Sequence, residues 1–174
     1  MPTITRTVTQ IFYMTDSVNV ANGTTLPTYG SVEKADNFFS WLLEGQRWTA
    51  TLDRRKKMQA LVSATKLIER LNFAGTKASA SQDLQFPRGT DTLVPVEIEE
   101  ATYEVALALL KGIDPDTERD NLSATVQAYG SVRTEYDRTS LPPYIVAGIP
   151  SQTAWIKLLP FLEARRVVKL SRTD

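Results

Sequence analysis

The amino-acid sequence predicts a mainly α-helical protein, a small bundle of three core helices and a kinked C-terminal helix. Three stretches between residues 31 and 112 place apolar side chains three or four residues apart, which is the spacing of one helix face. A fourth such stretch follows Pro150 and contains Pro160, which should kink or split it. Alternation with a period of two, typical of strands, adds one β-hairpin or extended loop and extended arms at both ends.

Residues 1–28 are predicted to form an extended N-terminal arm, because their β-branched side chains alternate and Asn22-Gly23 separates them from the first helix. A single strand must pair with another to satisfy its backbone. Two interpretations stay open, an edge-strand or disordered terminus and an arm that adds a strand to a neighbouring subunit. In the second, the candidates for inter-subunit or tail contact are Ile4, Val8, Ile11 and Phe12.

Two helices are predicted to open the helical domain. The first should begin after Ser31, whose hydroxyl suits an N-cap, and end at Gly45. The second should open near Thr51 and end at Leu71, so that the two form an antiparallel pair joined around Trp48. The side of the second helix opposite its apolar face holds Arg55, Gln59, Ser63, Lys66 and Arg70.

A long loop is predicted for residues 72–94, followed by a third helix from Pro95 to Gly112. The loop contains a candidate structural motif formed by Gln82, Leu84, Phe86, Pro87 and Arg88. We hypothesise that Phe86 is buried under the helices and locks the loop.

Beyond the third helix, the sequence predicts a polar turn over residues 114–120, a hairpin over residues 122–137 and a last helix that starts after Ser151. The helical domain is therefore expected to span residues 29–164. A basic C-terminal tail should occupy residues 165–174.

Composition limits the chemistry that the chain can carry. Its 174 residues contain no histidine and no cysteine, which excludes Ser-His and Cys-His nucleophiles and the zinc or iron–sulfur sites that need those side chains. The formal net charge is zero, so no overall basic field attracts nucleic acid. No apolar run approaches the ~20 residues of a membrane span. We expect a soluble protein, made inside a cell, with no enzymatic activity, no cofactor and no membrane partner.

Two acidic clusters invite a chemical interpretation. The acidic residues between positions 114 and 120 alternate like the start of a calcium loop, but Arg119 stands where that loop requires glycine. Glu97, Glu100 and Glu104 share one face of the third helix, without a partner nucleophile. We interpret the first cluster as a solvated turn. The second is interpreted as a solvated or subunit-contacting face, with Glu100 and Glu104 as contact candidates.

The densest basic run extends from Arg54 to Lys57, and Lys66 and Arg70 continue it along the second helix. Such a stripe could bind single-stranded nucleic acid through phosphate attraction, with stacking on a nearby aromatic ring such as Trp48. Four consecutive residues fan around a helix, however, and no regularly spaced aromatics accompany them. The alternative is a solvated face or a contact with an acidic partner, for which Arg55 is a candidate.

The C-terminal segment is the best interaction candidate, because a proline-broken apolar helix is followed there by basic residues. It either packs back on the first three helices or docks partly in a partner's groove. For docking, the candidate partner-contact residues are Trp155, Phe161, Arg165, Arg166, Val167, Val168, Lys169 and Leu170.

Several segments between Asn22 and Leu162 carry a family resemblance through their order and spacing. They are Asn22 to Pro27, Tyr29 to Phe39, Trp48, Ala64 to Leu71, Gln82 to Arg88, Gly130 to Tyr136 and Leu158 to Leu162. In this order they resemble the head-to-tail adaptor proteins of tailed phages, also called connector or head-completion proteins. Members of that family are often labelled DnaT-like single-stranded-DNA-binding proteins.

The resemblance implies a ring of subunits, commonly twelvefold, that docks beneath the portal protein in the virion neck, with a tail or nozzle protein below. Genomic double-stranded DNA would pass through its channel without sequence-specific binding. The subunit would be made in the host cytoplasm. The rival function is that of a single-stranded-DNA-binding replication accessory, and the zero net charge counts against it.

Overall fold

The computed structural model describes residues 16–19, 25–123, 126–129, 132–135 and 141–163. These residues are mainly helical, which confirms the predicted fold class. The α-helices are α1 Val32–Ser40, α2 Gln46–Ala50, α3 Arg54–Ile68, α4 Val96–Leu110, α5 Pro115–Ser123, α6 Pro143–Val146 and α7 Gln152–Leu158. The strands are β1 Asp16–Asn19, β2 Thr25–Thr28, β3 Val126–Tyr129 and β4 Val132–Glu135. Turns of 3-10 helix cover Leu43–Gly45 and Leu159–Phe161.

Side-chain caps fix where three helices begin. The hydroxyls of Ser31 and Ser151 accept backbone amides in the first turns of α1 and α7, at 3.3 and 3.2 Å, as the sequence predicts. The carboxylate of Asp53 accepts two amides of α3, the closer at 2.9 Å. Each such cap stabilises its helix by about 1 kcal/mol.

The first helix is shorter than predicted: α1 ends at Ser40 rather than at Gly45. The chain then passes through a 3-10 turn into α2. Gly45 is buried in that turn, and a Cβ placed on it would lie 2.5 Å from the carbonyl oxygen of Phe39. Glycine therefore permits the chain to cross closely over α1, which lets Trp48 of α2 pack on Phe39 with ring centroids 5.2 Å apart.

The central helix of the bundle is α4. Apolar and small residues surround most of its circumference, and they are buried: Ile98, Ala101, Thr102, Tyr103, Val105, Ala106, Leu107 and Ala108. Helices α3 and α7 pack against it. Their buried faces include Ala60, Ala64 and Ala154, and small side chains at such positions allow helices to approach closely. A helix buried on so many sides requires neighbours on all of them.

Two antiparallel hairpins complete the described fold. Strand β1 pairs with β2, in register from Asp16 opposite Thr28, and β3 pairs with β4, in register from Val126 opposite Glu135. The second hairpin lies within the segment 122–137 that the sequence predicts for it.

The sequence predicts an extended arm over residues 1–28, but the described residues of this segment form a hairpin. Strand β2 finds its partner in β1 of the same chain and contacts α3, and Thr28 is fully buried. Its hydroxyl donates to the carbonyl of Gly30 at 2.8 Å. The compact domain therefore starts before residue 29. The contact candidates Ile4, Val8, Ile11 and Phe12 lie outside the described residues.

Two short helices, α5 and α6, lie between α4 and α7. The predicted polar turn at residues 114–120 is mostly α5, because Asp114 accepts an amide at 3.1 Å and the Thr117 hydroxyl at 2.9 Å. The next residue, Pro115, suits the first turn of a helix, where its missing N–H costs nothing. Helix α6 starts with Pro143 in the same way. These prolines begin helices rather than break them.

The last helix is split at Pro160, as predicted: α7 ends at Leu158 and a 3-10 turn follows. The loop over residues 72–94 contains no α-helix, and antiparallel bridges join Phe73 to Leu162 and Lys77 to Arg88. Among the described helices, none has the length and apolar character that a bilayer crossing requires.

Candidate interaction surfaces

The long loop is anchored on a buried hydrogen-bond hub formed by Tyr29 and Glu69. The Tyr29 hydroxyl donates to the Glu69 carboxylate and accepts the Phe86 amide at 3.2 Å. The same carboxylate accepts the Gln85 amide at 2.9 Å. Burial, reinforced by the hydrogen bond to Glu69, raises the pKa of Tyr29 far above its usual value, so the hydroxyl stays a neutral donor. The hub ties the loop to the end of α3.

Phe86 lies at the centre of an aromatic cluster beneath the loop. Its side chain is 2% exposed, in agreement with the hypothesis that it is buried. Edge-on contacts join it to Tyr29, Phe73 and Phe161, with ring centroids 6.0, 4.8 and 5.6 Å away. Such pairs add to the free energy of burial because the positive ring edge meets a negative ring face. Whether Phe86 locks the loop stays a prediction.

Arg88 and Gln82 hold the loop backbone in place. The Arg88 guanidinium donates to the carbonyls of Phe73, at 3.0 Å, of Ala74, at 2.8 Å, and of Gly75. The Gln82 amide donates to two other loop carbonyls at 2.8 and 2.9 Å. Leu84 and Pro87 are buried beside them. The motif therefore contacts its own chain, which is consistent with the structural role expected of it.

Two glutamates of α4 form ion pairs with neighbouring helices. Glu100 forms an ion pair with Lys157 of α7, and Glu99 forms one with Lys34 of α1 at 2.9 Å. Glu104 is half-buried, and this desolvation raises the pKa of its carboxyl above the usual value, although Lys157 opposes the shift. Glu100 is therefore engaged within the chain. The expectation that Glu100 and Glu104 contact another subunit stays a prediction.

Two of the four residues in the basic run from Arg54 to Lys57 form ion pairs within the domain. Arg54 forms an ion pair with Glu33, and Lys57 forms one with Asp36 at 2.7 Å. The Lys57 ammonium also lies 5.3 Å from the ring centre of Trp48, whose indole N–H donates to Asp36 at 2.7 Å. These contacts fasten α3 to α1 and α2. They leave neither Lys57 nor the fully buried Trp48 available to a ligand.

The other basic residues of this region form an exposed stripe, which we call the basic stripe: Arg55, Lys56 and Lys66 on α3, and Arg70 in the turn that follows it. Within the described part of the chain, no ion pair is formed by any of the four. Arg55 and Lys66 fall on one helix face, about 16 Å apart at a rise of 1.5 Å per residue. Gln59 and Ser63, which are also exposed, lie between them. This stripe is a positive surface along α3 and the turn after it, on a chain with zero net charge.

Sequence reasoning missed a set of exposed apolar side chains, which we call the apolar corner: Trp41, Leu43 and Leu52. They are 86%, 86% and 93% exposed. All three lie in the connections between α1 and α3, where the predicted long helix is replaced by a 3-10 turn and α2. The signal in the sequence was the run Trp41-Leu42-Leu43, which places three large apolar residues in succession where one helix face cannot bury them all.

The C-terminal contact candidates divide into two groups. Trp155 and Phe161 are half-buried and pack against the core, so they are not free anchors, whereas Ile156 and Leu159 are 59% and 49% exposed. The other candidates lie outside the described residues: Arg165, Arg166, Val167, Val168, Lys169 and Leu170.

An open groove of about 610 Å³ lies beside α7, and we call it the α6–α7 groove. Its lining is mainly apolar and includes Leu141, Val146, Trp155, Leu159 and Leu162. Glu163 also lines it.

A sequence model of the protein family described as "putative DnaT-like ssDNA binding protein" matches residues 18–162. The matched span contains α1 to α7, the second hairpin and the long loop. Neither the curated proteins nor the solved structures contain a match to the chain.

Proposed function

This chain belongs to the DnaT-like ssDNA-binding protein family, and we propose that it is a structural virion protein, the head-to-tail adaptor of a tailed phage. In this role, copies form a ring beneath the portal protein, continue the DNA channel and give a tail or nozzle protein its seat. The protein is made in the host cytoplasm and works in the virion neck. It carries out no catalysis and needs no cofactor, and genomic DNA passes through it without sequence-specific contact.

The observation that carries this proposal is the apolar corner. Large apolar side chains exposed to 86% or more are costly in water, and their burial against a partner would each contribute about 1.5–3 kcal/mol. Tryptophan is also among the residues that most often dominate the binding energy of protein interfaces. Clustered within residues 41–52, Trp41, Leu43 and Leu52 favour a surface that another protein covers.

The rest of the domain suits a ring subunit. Its core is held by α4 and the anchored loop, and the apolar corner lies on the connections between α1 and α3. When one patch of a subunit meets a different patch of the next, the contacts close into a ring if the rotation permits. The resemblance in segment order to phage adaptors supports a ring of twelve.

We expect wild-type protein to form concentration-dependent oligomers through the apolar corner. Replacing Trp41, Leu43 and Leu52 together with serine should weaken self-association by tenfold or more, since an interface residue of this kind contributes more than ~1 kcal/mol. Sedimentation velocity over a dilution series measures this. A pull-down with the portal protein of a tailed phage tests the docking.

The control variant replaces Leu93 and Val96 with serine. These side chains are also exposed, at 62% and 58%, but lie at the start of α4, away from residues 41–52 in sequence. This variant should associate like the wild type. A wild-type protein that remains monomeric at high concentration and is missing from purified particles contradicts the proposal.

Single-stranded-DNA binding is the second candidate, and the basic stripe is the observation that favours it. Four exposed cations along α3 and the turn after it can neutralise phosphates and release counterions. Stacking would have to come from an exposed ring, and Trp41 is exposed whereas Trp48, Phe39 and Tyr29 are buried. The stripe supports electrostatic contact with a strand and gives no means of selecting its sequence.

We expect that any oligonucleotide binding is weak and falls steeply with salt. Neutralising the stripe with glutamine at Arg55, Lys56, Lys66 and Arg70 should reduce the slope of log Kobs against log salt by roughly 0.7 per lost phosphate contact. Fluorescence anisotropy with a labelled oligothymidylate at several salt concentrations measures this.

The matched control neutralises two exposed cations elsewhere, Lys111 and Arg119, and should bind like the wild type. Tight binding that persists at moderate salt and is lost in the stripe variant would make DNA binding the primary function. Equal weakening in both variants would show that the stripe has no special role.

A further inference from the structure

The α6–α7 groove has a mainly apolar lining. Val146 and Leu159 are 51% and 49% exposed along it, and the half-buried Trp155 both lines the groove and packs against the core. These side chains leave a concave apolar surface in water, where covering them is favourable. Within the lining, Glu163 supplies the acidic side chain. An apolar segment with neighbouring cations would therefore match the groove.

The chain leaves the described domain at the rim of this groove. Leu162 is held by an antiparallel bridge to Phe73, and the amide of Glu163 donates to the carbonyl of Asn72 at 3.0 Å. Both Leu162 and Glu163 also line the groove. The last described residue is therefore held at the groove, and the segment that follows it needs no long connection to reach the groove.

The C-terminal segment, residues 164–174, has the required composition. It contains Val167, Val168 and Leu170, and its cations Arg165, Arg166 and Lys169 are interleaved with them. A fully extended chain covers about 3.3 Å per residue, so Val168 can lie up to about 17 Å from Glu163. This distance is enough for Val168 to reach the groove, because Glu163 lies in the groove lining.

From this placement we propose that the C-terminal segment of the same chain lies in the α6–α7 groove, with Val168 and Leu170 against Val146, Trp155 and Leu159. A tethered segment acts at an effective concentration in the millimolar range when its linker is short. A second copy must supply the same segment from free solution, at a lower concentration. The tether therefore favours the chain's own segment over that of another molecule.

The inference is independent of the proposed function, because it concerns the isolated chain. It has a consequence for partner binding, however. Val167, Val168 and Leu170, which the sequence makes candidates for portal contact, would have to leave the groove before a portal protein could bind them. The groove would then be free for another occupant.

Disulfide trapping tests the proposal in the full-length protein, which has no cysteine of its own. Cysteines are introduced at Val146 in the groove and at Val168 in the segment, and the protein is oxidised mildly. We expect a disulfide within one chain, seen by non-reducing electrophoresis and peptide mass mapping. The control pair combines Val168→Cys with Val96→Cys, an exposed site outside the groove lining, and should oxidise several-fold more slowly.

A second measurement avoids introduced cysteines. In a Trp41→Phe background, acrylamide quenching of tryptophan fluorescence reports mainly on Trp155, because Trp48 is fully buried. Val168→Asp should raise the quenching constant, whereas Ser171→Asp should leave it unchanged. Disulfides between two chains would overturn the proposal in favour of a second copy. Equal oxidation of both pairs, or equal quenching in both variants, would overturn it by showing the groove unoccupied.

Discussion

Replacing Phe86 with alanine is expected to lower the free energy of unfolding by about 3–5 kcal/mol. The ring is 2% exposed and contacts three other aromatic rings, and the Arg88 guanidinium lies 5.8 Å from its centre. The cavity left by alanine would remove these contacts, and neighbours held in a hydrogen-bonded loop cannot close it. Urea denaturation followed by far-ultraviolet circular dichroism measures the change.

Two control variants separate the loss of the ring from general effects of mutation. Phe86→Leu retains most of the apolar volume and should cost only ~1–2 kcal/mol. Leu93→Ala removes a side chain that is 62% exposed and lies outside the apolar corner, and a surface change of this kind alters stability by about 0.5 kcal/mol or less. An unchanged unfolding midpoint in Phe86→Ala would mean that the ring has no part in holding the loop.

The buried position of Phe86 could be predicted from the sequence, whereas the hub beside it could not. An apolar residue within a polar loop, followed by proline, is expected to face the core. The hydroxyl of Tyr29 and the carboxylate of Glu69 are forty residues apart in the sequence, and no local sequence pattern predicts that they form a hydrogen bond. A glutamate near a helix end is ordinarily interpreted as a solvated charge, so its role as acceptor for both the Tyr29 hydroxyl and the Gln85 amide of the loop requires the three-dimensional arrangement.

Helical periodicity located the core helices, and capping residues located where α1 and α7 begin, but the end of α1 was not predicted. The apolar face that predicts α3 and α4 comes from repeated local spacing, which a sequence displays directly. The end of α1 depends on Gly45, whose close approach to Phe39 is a tertiary contact. The apolar corner follows from that early end. The run Trp41-Leu42-Leu43 signals that some of these apolar side chains stay unburied, but which of them are exposed depends on that tertiary contact.

Replacing Gly30 with alanine is the second change expected to have a large effect, a loss of roughly 3 kcal/mol or more that combines backbone strain with overpacking. Gly30 has a φ of +94°, which L residues rarely adopt. A Cβ there would lie 2.5 and 2.7 Å from the Cε1 and Cζ atoms of Tyr103 and would also overlap its hydroxyl. Tyr103 is 3% exposed and packs on Phe38 with centroids 5.5 Å apart, so its ring has little room to move.

Gly75 provides the matched control, because its φ of +78° imposes similar strain while no atom lies within 4 Å of the Cβ position. Gly75→Ala should therefore cost only about 1–2 kcal/mol, the penalty of the left-handed backbone alone. The difference between the two variants in thermal or urea denaturation isolates the contact between Gly30 and Tyr103. Equal losses would mean that the contact with Tyr103 of α4 contributes nothing to the cost, and that backbone strain alone explains why glycine is needed at position 30. A larger loss at Gly30 would show that the turn containing Gly30 packs directly on α4, the central helix. The same turn positions the neighbouring Tyr29 for its hydrogen bonds in the loop hub.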